Sequence, residues 1–289
     1  MGLVTTRAGR RVSLVAVLAG LCVAGLGCRG VVPRAADGQE APPPLIEPEL
    51  GRGSNLVDER AEQLVRVMSD RLARETTFAI EADEIYDEVP EQSPRRQLTN
   101  SRRVWMRRPD RLAGDASGDA VNRSFYYDGR TFTAYDKEQN VWASGGVPPT
   151  VDAALDWVFD QTGTVIPLAD FLYGDVYARL MGNVQRGVYL GLHEAAGVLC
   201  HHLAFEQAAI DWQIWIDAGR DPLPRKLVIA YKTEDEVPQY SVTIRTWDFR
   251  EKAPETAFSF TPPAGARRIE VSQMAGTPTA GPAGAQEKK

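Results

Sequence analysis

Three cysteines and three histidines in 289 residues leave little material for disulfides, metal centres or imidazole chemistry. Cys22 lies in an N-terminal apolar stretch and Cys28 at its end, so Cys200 stands alone in the body and has no intramolecular partner. The tripeptide Cys200-His201-His202 has the wrong spacing for structural zinc. Adjacent strand residues point to opposite faces, so it reads as a buried cysteine beside partly exposed histidines. No phosphate loop, no H-E-x-x-H pair and no paired cysteines occur. Gly114-Asp115-Ala116-Ser117-Gly118 misplaces its serine for a nucleophile elbow. The acidic run Glu81, Asp83, Glu84, Asp87, Glu88 lacks the glycine register of a calcium loop and reads as a solvated strand edge. The chain is therefore expected to be no enzyme, with no catalytic constellation, no metal and no cofactor. A net charge of −6 argues against nucleic acid, which needs a basic face. The arginines Arg95-Arg96, Arg102-Arg103 and Arg107-Arg108 read as an exposed strand or loop face that balances the acidic run.

The apolar stretch at the N-terminus, Val12 to Leu26, is shorter than the roughly 20 residues a spanning helix needs. It follows Arg7, Arg10 and Arg11, an order that describes a secretory signal peptide over residues 1–27. It ends in Gly25-Leu26-Gly27-Cys28, which resembles a bacterial lipobox with Cys28 as the lipidated residue. Arg29 follows, not Asp, which points to the outer membrane as the site of the anchor. Loss of residues 1–27 leaves 30 basic residues against 39 acidic ones, a net of −9. Residues 28–53 hold Pro33, Pro42, Pro43, Pro44 and Pro48 and few large apolar side chains, so they form a tether. Residues 272–289 are low in complexity and read as a disordered tail. The expected product is an exported periplasmic domain at residues 54–271, held to the membrane by a lipid.

Within that domain one long helix comes first. Val57, Ala61, Leu64, Val65, Met68 and Leu72 share a face at helical spacing, with Ser54 or Asn55 as the cap. Short alternating segments follow. They include Thr77–Tyr86, Asn100–Arg107, and a meander over residues 122–143 whose first turn is Asp128-Gly129. An apolar helical interlude spans Thr150 to Met181, with Trp157, Phe159, Phe171 and Tyr173 in it. Alternation then resumes at Gly187–Leu192, Val198–Phe205, Asp211–Asp217, Arg225–Lys232 and Gln239–Phe249, and Phe258 and Phe260 share one more face. Such a run of period-two segments is an antiparallel sheet with one solvated face, and a sheet of this many strands curls. The helices belong inside the curl or across its mouth.

Three stretches carry a family resemblance. They are Phe125-Tyr126-Tyr127-Asp128-Gly129-Arg130-Thr131-Phe132-Thr133 with Tyr135 and Val141-Trp142; Trp215-Ile216-Asp217 with Leu223-Pro224-Arg225-Lys226-Leu227-Val228-Ile229 and Tyr231; and Phe258 to Ala266. In order and spacing the chain, over roughly residues 57–270, resembles the lipoprotein-carrier (LolA/LolB-like) half-barrel fold, and more narrowly an uncharacterised group of predicted periplasmic proteins on that fold. The resemblance implies an α+β architecture: a strongly curved antiparallel half-barrel with an N-terminal helix and short helices packed in or over its concave face. It further implies an apolar cavity that accepts an acyl chain of a lipid or lipoprotein. The candidate lining residues are Trp105, Phe125, Tyr127, Phe132, Trp142, Trp157, Phe171, Trp212 and Trp215. The alternative is a non-catalytic regulatory or scaffolding protein of the envelope that binds a protein partner, with a filled interior.

Overall fold

The computed structural model describes residues 56–274, apart from 91, 92, 120, 164, 165, 167, 234 and 235. The expected signal peptide, the acylated Cys28 and nearly all of the tether and tail lie outside the described residues. The elements in chain order are α1 (Glu59–Ala73), β1 (Thr77–Glu88), β2 (Arg96–Arg107), β3 (Arg111–Gly118), β4 (Asn122–Tyr127), β5 (Thr131–Asp136) and β6 (Val141–Gly146). Then come α2 (Val151–Thr162), a 3-10 turn (Ala169–Phe171) and α3 (Val176–Met181). β7 (Arg186–Ala195), β8 (Val198–Glu206), β9 (Ile210–Asp217), β10 (Pro224–Tyr231) and β11 (Gln239–Asp248) follow. A second 3-10 turn (Glu255–Phe258), β12 (Arg267–Arg268) and α4 (Val271–Met274) complete the described chain.

Among the described residues the strands form one open sheet in the order β12-β6-β5-β4-β3-β2-β1-β11-β10-β9-β8-β7. Every pairing between neighbours is antiparallel except the short parallel bridge of β12 to β6. Hairpin connections build each half, and the first and last long strands, β1 and β11, close them against each other. The chain must therefore pass from β6, near one edge, to β7 at the other. That crossing carries α2, the 3-10 turn and α3 over one face, which is why the interlude is so apolar. Eleven strands at about 4.8 Å spacing would be roughly 50 Å wide if flat. A few short helices cover them only because the sheet curves, so that both halves meet one helical layer on the concave face. One continuous core runs accordingly from Phe132 on β5 through Phe78 and Ile80 on β1 to Leu203 and Phe205 on β8, with Leu155, Phe171 and Leu180 from the crossing.

Helix α1 buries Ala61, Val65, Met68 and Leu72, the stripe expected from spacing. Its cap is different. The Asp58 carboxylate accepts from the amides of Arg60 (2.7 Å) and Ala61 (3.2 Å). Ser54 and Asn55 lie too early, because Val57 is held in a bridge to Gly187 at the start of β7 and the helix begins after it. Thr150 caps α2 by accepting from the Ala153 amide, and Gly163 ends it at φ 66°, a left-handed position where glycine is favoured.

Strand β3 carries no alternation of large apolar residues and was not expected. Its Gly114 lies under the Phe125 ring, where a Cβ would stand 2.5 Å from the ring edge, so a strand without bulk is what the packing needs. Phe258 and Phe260 do not sit on a strand. Phe258 ends the second 3-10 turn, and Phe260 lies on the outer face among Tyr126, Tyr135 and Trp142, with ring centroids 5.4, 5.4 and 5.5 Å away. The ordered chain also continues past Val271: α4 buries Met274 against Val141 and Ala143, so residues 272–274 are not tail.

Candidate binding surface on the concave face

Strand register decides which aromatic residues can share a surface. Val104, Gly114, Phe125 and Ala134 stand in one cross-strand row; Met106, Leu112, Tyr127, Phe132 and Gly145 stand in the next. Both rows face the helices. Phe125 and Phe132 stack with centroids 6.0 Å apart and planes at 11°. Trp157 of α2 lies 6.5 Å from Phe132 and covers Gly145, where a Cβ would stand 2.6 Å from the indole. Phe125, Phe132 and Trp157 thus form a continuous aromatic strip. Tyr127 is fully buried beside it and donates its hydroxyl to the Pro148 carbonyl at 2.8 Å, which fixes the entry to α2. Phe171 is also fully buried, edge-on to Trp247 of β11 at 6.4 Å. Trp212 faces the concave side in the other half, stacked on Phe205 at 4.3 Å.

The remaining three candidates stand on the opposite face, contrary to expectation. Trp105 pairs with Ala79 and Ala113, one residue out of step with Val104 and Met106. Its indole donates to Glu251 at 2.8 Å, and Arg103 stacks on it at 4.8 Å. Trp142 packs on Phe260 and under Arg268. Trp215 lies between His202, stacked at 3.9 Å, and Lys226, at 5.0 Å. A shift of one residue along a strand moves a side chain to the other face, so none of the three can line a concave cavity. Cys200 is buried, and His201 and His202 point to opposite faces as alternation requires. His201 meets the Tyr189 hydroxyl at 3.1 Å, whereas His202 meets His193 and Gln213.

Further along the same concave face the side chains become polar. The next row toward the Glu88 end of β1 contains Ala82, Arg102, Ala116, Arg123 and Asp136. The one after holds Glu84, Asn100 and Gly118. Arg102 donates to both oxygens of Glu84 (2.7 and 3.1 Å), with the two side chains 7% and 0% exposed. Tyr240 donates its hydroxyl to Glu84 at 2.9 Å. Burial pulls the Arg102 pKa down, but the Glu84 carboxylate outweighs it and holds the guanidinium above its ordinary value. Burial, reinforced by the Glu84 charge, drives the Tyr240 phenol well above the usual tyrosine range. Arg123 donates to Asp136 at 3.1 Å in a second nearly buried pair.

Of these polar residues, Glu84 and Arg102 were read in the sequence as solvated. Parity carried the signal that was missed. Glu84 follows Phe78, Ile80 and Ala82 in steps of two, and Arg102 precedes Val104 and Met106 in the same way. Glu81, Asp83 and Arg103, with the other parity, do lie toward solvent. The expectation of an exposed basic face therefore fails at Arg102, because its position in the register puts it inside.

The sequence profile of the family described as "Predicted periplasmic protein (DUF2092)" matches residues 61–272. The chain belongs to this family. By that description its members are predicted periplasmic proteins, which agrees with an exported chain. Solved structures resembling this DUF2092 protein include an uncharacterised conserved protein from Thermus thermophilus, at 11% identity and TM-score 0.42 over 73% of this chain and 99% of that one. Another is the Mycobacterium tuberculosis lipoprotein LppX, at 14% identity and TM-score 0.43 over 66% and 96%. A third is a LolA superfamily protein from Nitrosomonas europaea, at 8% identity and TM-score 0.30 over 69% and 97%. No curated protein matches the chain. Function is therefore read from the chain's own geometry.

Proposed function

We propose that this DUF2092 protein is a non-catalytic envelope lipoprotein, anchored to the outer membrane through an acylated Cys28, whose half-barrel takes an acyl chain of a lipid or lipoprotein against its concave face. One observation carries the reading. The aromatic strip Phe125–Phe132–Trp157 and the buried polar rows Glu84–Arg102 and Arg123–Asp136 follow each other on a single surface. That order, apolar and then polar, is the order of an amphiphile. A ligand site of this kind is mostly apolar, with a few fixed polar groups that set orientation. A tethered domain then works at one membrane, as a receptor or local acceptor does.

The test is native mass spectrometry of the full chain carrying Cys28→Ser, purified without detergent, with lipid extraction alongside. Acyl species that co-purify, and that are lost on Trp157→Glu in a protein that still melts cooperatively, support the reading. A clean apo mass with no uptake of added phospholipid or lipopeptide overturns it. That outcome favours binding of a protein partner, for which β7 offers the surface: it ends the sheet, and Leu192 on it and Leu199 on β8 are each about half exposed (49% and 56%). Beyond Gly187, which Val57 bridges, an edge strand of this kind accepts an added strand from a partner.

A further inference from the structure

Three strands of the second half bring a pair of imidazoles together on the outer face, away from the aromatic strip. His193 lies on β7, His202 on β8 and Gln213 on β9. Alternation alone would put His193 on the concave side with Tyr189. A bulge between Tyr189 and Gly191 shifts β7 by one residue, so that Gly191 pairs with His202 and His193 with Cys200, on the outer side. Bulges of this kind re-aim a side chain. The Nδ1 atoms of His193 and His202 then stand 3.1 Å apart. On its other edge His202 meets Gln213 Oε1 through Nε2 at 2.9 Å. A carboxamide oxygen only accepts, so in the neutral ring Nε2 carries the proton and Nδ1 presents a lone pair toward His193. Trp215 stacks on the His202 ring at 3.9 Å and fixes its plane. Gly191 leaves the space opposite His202 open, since a Cβ there would meet nothing within 4 Å.

We infer that His193 and His202 form a binding site for a divalent transition metal of the class that prefers imidazole: copper(II), nickel(II) or zinc. Metal–imidazole bonds are about 2.0–2.1 Å long, so nitrogens at this separation subtend about 100° at one ion, between the square-planar and the tetrahedral angle. The ring centroids are 5.0 Å apart with planes at 80°. A straight N–H···N bond between the same nitrogens would hold the centroids about 5.4 Å apart, so the two rings do not point head-on at each other. A metal-ligating histidine gives its other ring N–H to an oxygen, and Gln213 receives it here. Among the described residues no set of three or more His, Cys, Asp or Glu side chains converges on a point. Two imidazoles are therefore the protein's share, and water or an outside donor takes the remaining positions. The pair includes no carboxylate, so calcium and magnesium, which need oxygen ligands, do not fit. The tripeptide Cys200-His201-His202 cannot act as one site, but His202 with a cross-strand partner can. His201 faces the other way, to the Tyr189 hydroxyl, and the Cys200 thiol donates to the Val198 carbonyl at 3.3 Å. This inference is independent of acyl binding.

The experiment titrates copper(II) sulfate, nickel(II) chloride, zinc chloride or magnesium chloride into the full Cys28→Ser chain, made without a histidine tag, and follows binding by calorimetry. Copper(II) should bind most tightly of the four, in the usual order for divalent ions, and magnesium should not bind. His193→Phe and His202→Phe should each weaken copper(II) by more than about tenfold, and Gln213→Leu, which no longer fixes the tautomer, by about tenfold. His201→Gln, on the opposite face, should leave the affinity unchanged. His193 is exposed, so its replacement leaves the core intact. In the parent protein zinc should move the imidazole resonances of His193 and His202 and leave those of His201 in place. No binding of copper(II), nickel(II) or zinc, binding that survives both histidine substitutions, or an equal loss on His201→Gln overturns the inference and leaves the pair as a plain N–H···N hydrogen bond.

Discussion

Replacing Arg102 with methionine is the most informative perturbation of the interior. Glu84 is fully buried, and with Arg102 gone it keeps one partner, the Tyr240 hydroxyl. Removing one member of a buried pair costs about 3–5 kcal/mol, because a desolvated charge is left behind. With an m-value of about 3 kcal/mol/M for a domain of this size, the urea midpoint should fall by roughly 1–1.7 M. The triple change Glu84→Leu, Arg102→Met, Tyr240→Phe replaces the whole network with apolar groups of similar volume and should fold within about 1 kcal/mol of the parent. Urea melts of the single and the triple variant test this. A single-variant loss below about 1 kcal/mol, or a triple variant as unstable as the single, would refute the assignment of Glu84–Arg102 as a buried pair.

Three other outcomes follow from named contacts. Asp58→Ala removes the carboxylate that accepts from the Arg60 and Ala61 amides and should cost about 1 kcal/mol in thermal or urea melts. Burial lowers the pKa of both His201 and His202, so the folded state prefers them neutral. That contribution is complete above their unfolded pKa of about 6.5 and lost as pH falls below it, giving a drop in Tm between pH 7.5 and 5.5 that His201→Gln with His202→Phe should reduce. Phe260→Ala empties the space among Tyr126, Tyr135 and Trp142 on the outer face and should destabilise by about 2 kcal/mol without changing affinity for any acyl probe, because the strip it would have to disturb is on the other side of the sheet.

Much of the architecture was legible from periodicity. The stripe of α1, the Asp128-Gly129 turn, the Thr150 cap of α2 and the alternating strands after Gly187 all carry local signals that the packing reinforces. What was not legible depends on partners distant in sequence. β3 looks like no strand until Phe125 is laid over Gly114. The cap of α1 moves to Asp58 because Val57 pairs with a residue 130 positions later. Among the candidate site residues, an aromatic count ignores which face each ring is on. Trp105, Trp142 and Trp215 are as aromatic as Phe125 and Phe132, and only register against their neighbours separates them. The acidic and basic runs misled for the same reason: composition suggests a solvated strip, whereas alternation sends Glu84 and Arg102 inward.

On the proposed acyl-binding function, the outer face of the β2–β6 half leaves the concave face as the place for a ligand. After β11 the chain turns back across that outer side. Glu251 accepts from Arg103 and from the Trp105 indole, and Glu255 pairs with Arg107 and Arg111. Phe258 is buried under Arg107, Phe260 fills the aromatic patch, and Arg267–Arg268 adds a short strand to β6. The segment thus covers an otherwise exposed apolar strip and satisfies four cationic or indole donors with two carboxylates. The chain uses its own C-terminal stretch to close one face of the sheet, and a crossing connection with its helices to cover the other. The two covers differ in kind. The outer one is pinned by ion pairs to β2 and β3, while the inner one meets the sheet mainly through apolar contacts. Apolar contacts have no fixed direction and can be exchanged for those of an acyl chain at little loss. Ion pairs with set geometry cannot be exchanged in that way, so a ligand that enters does so beneath the helices.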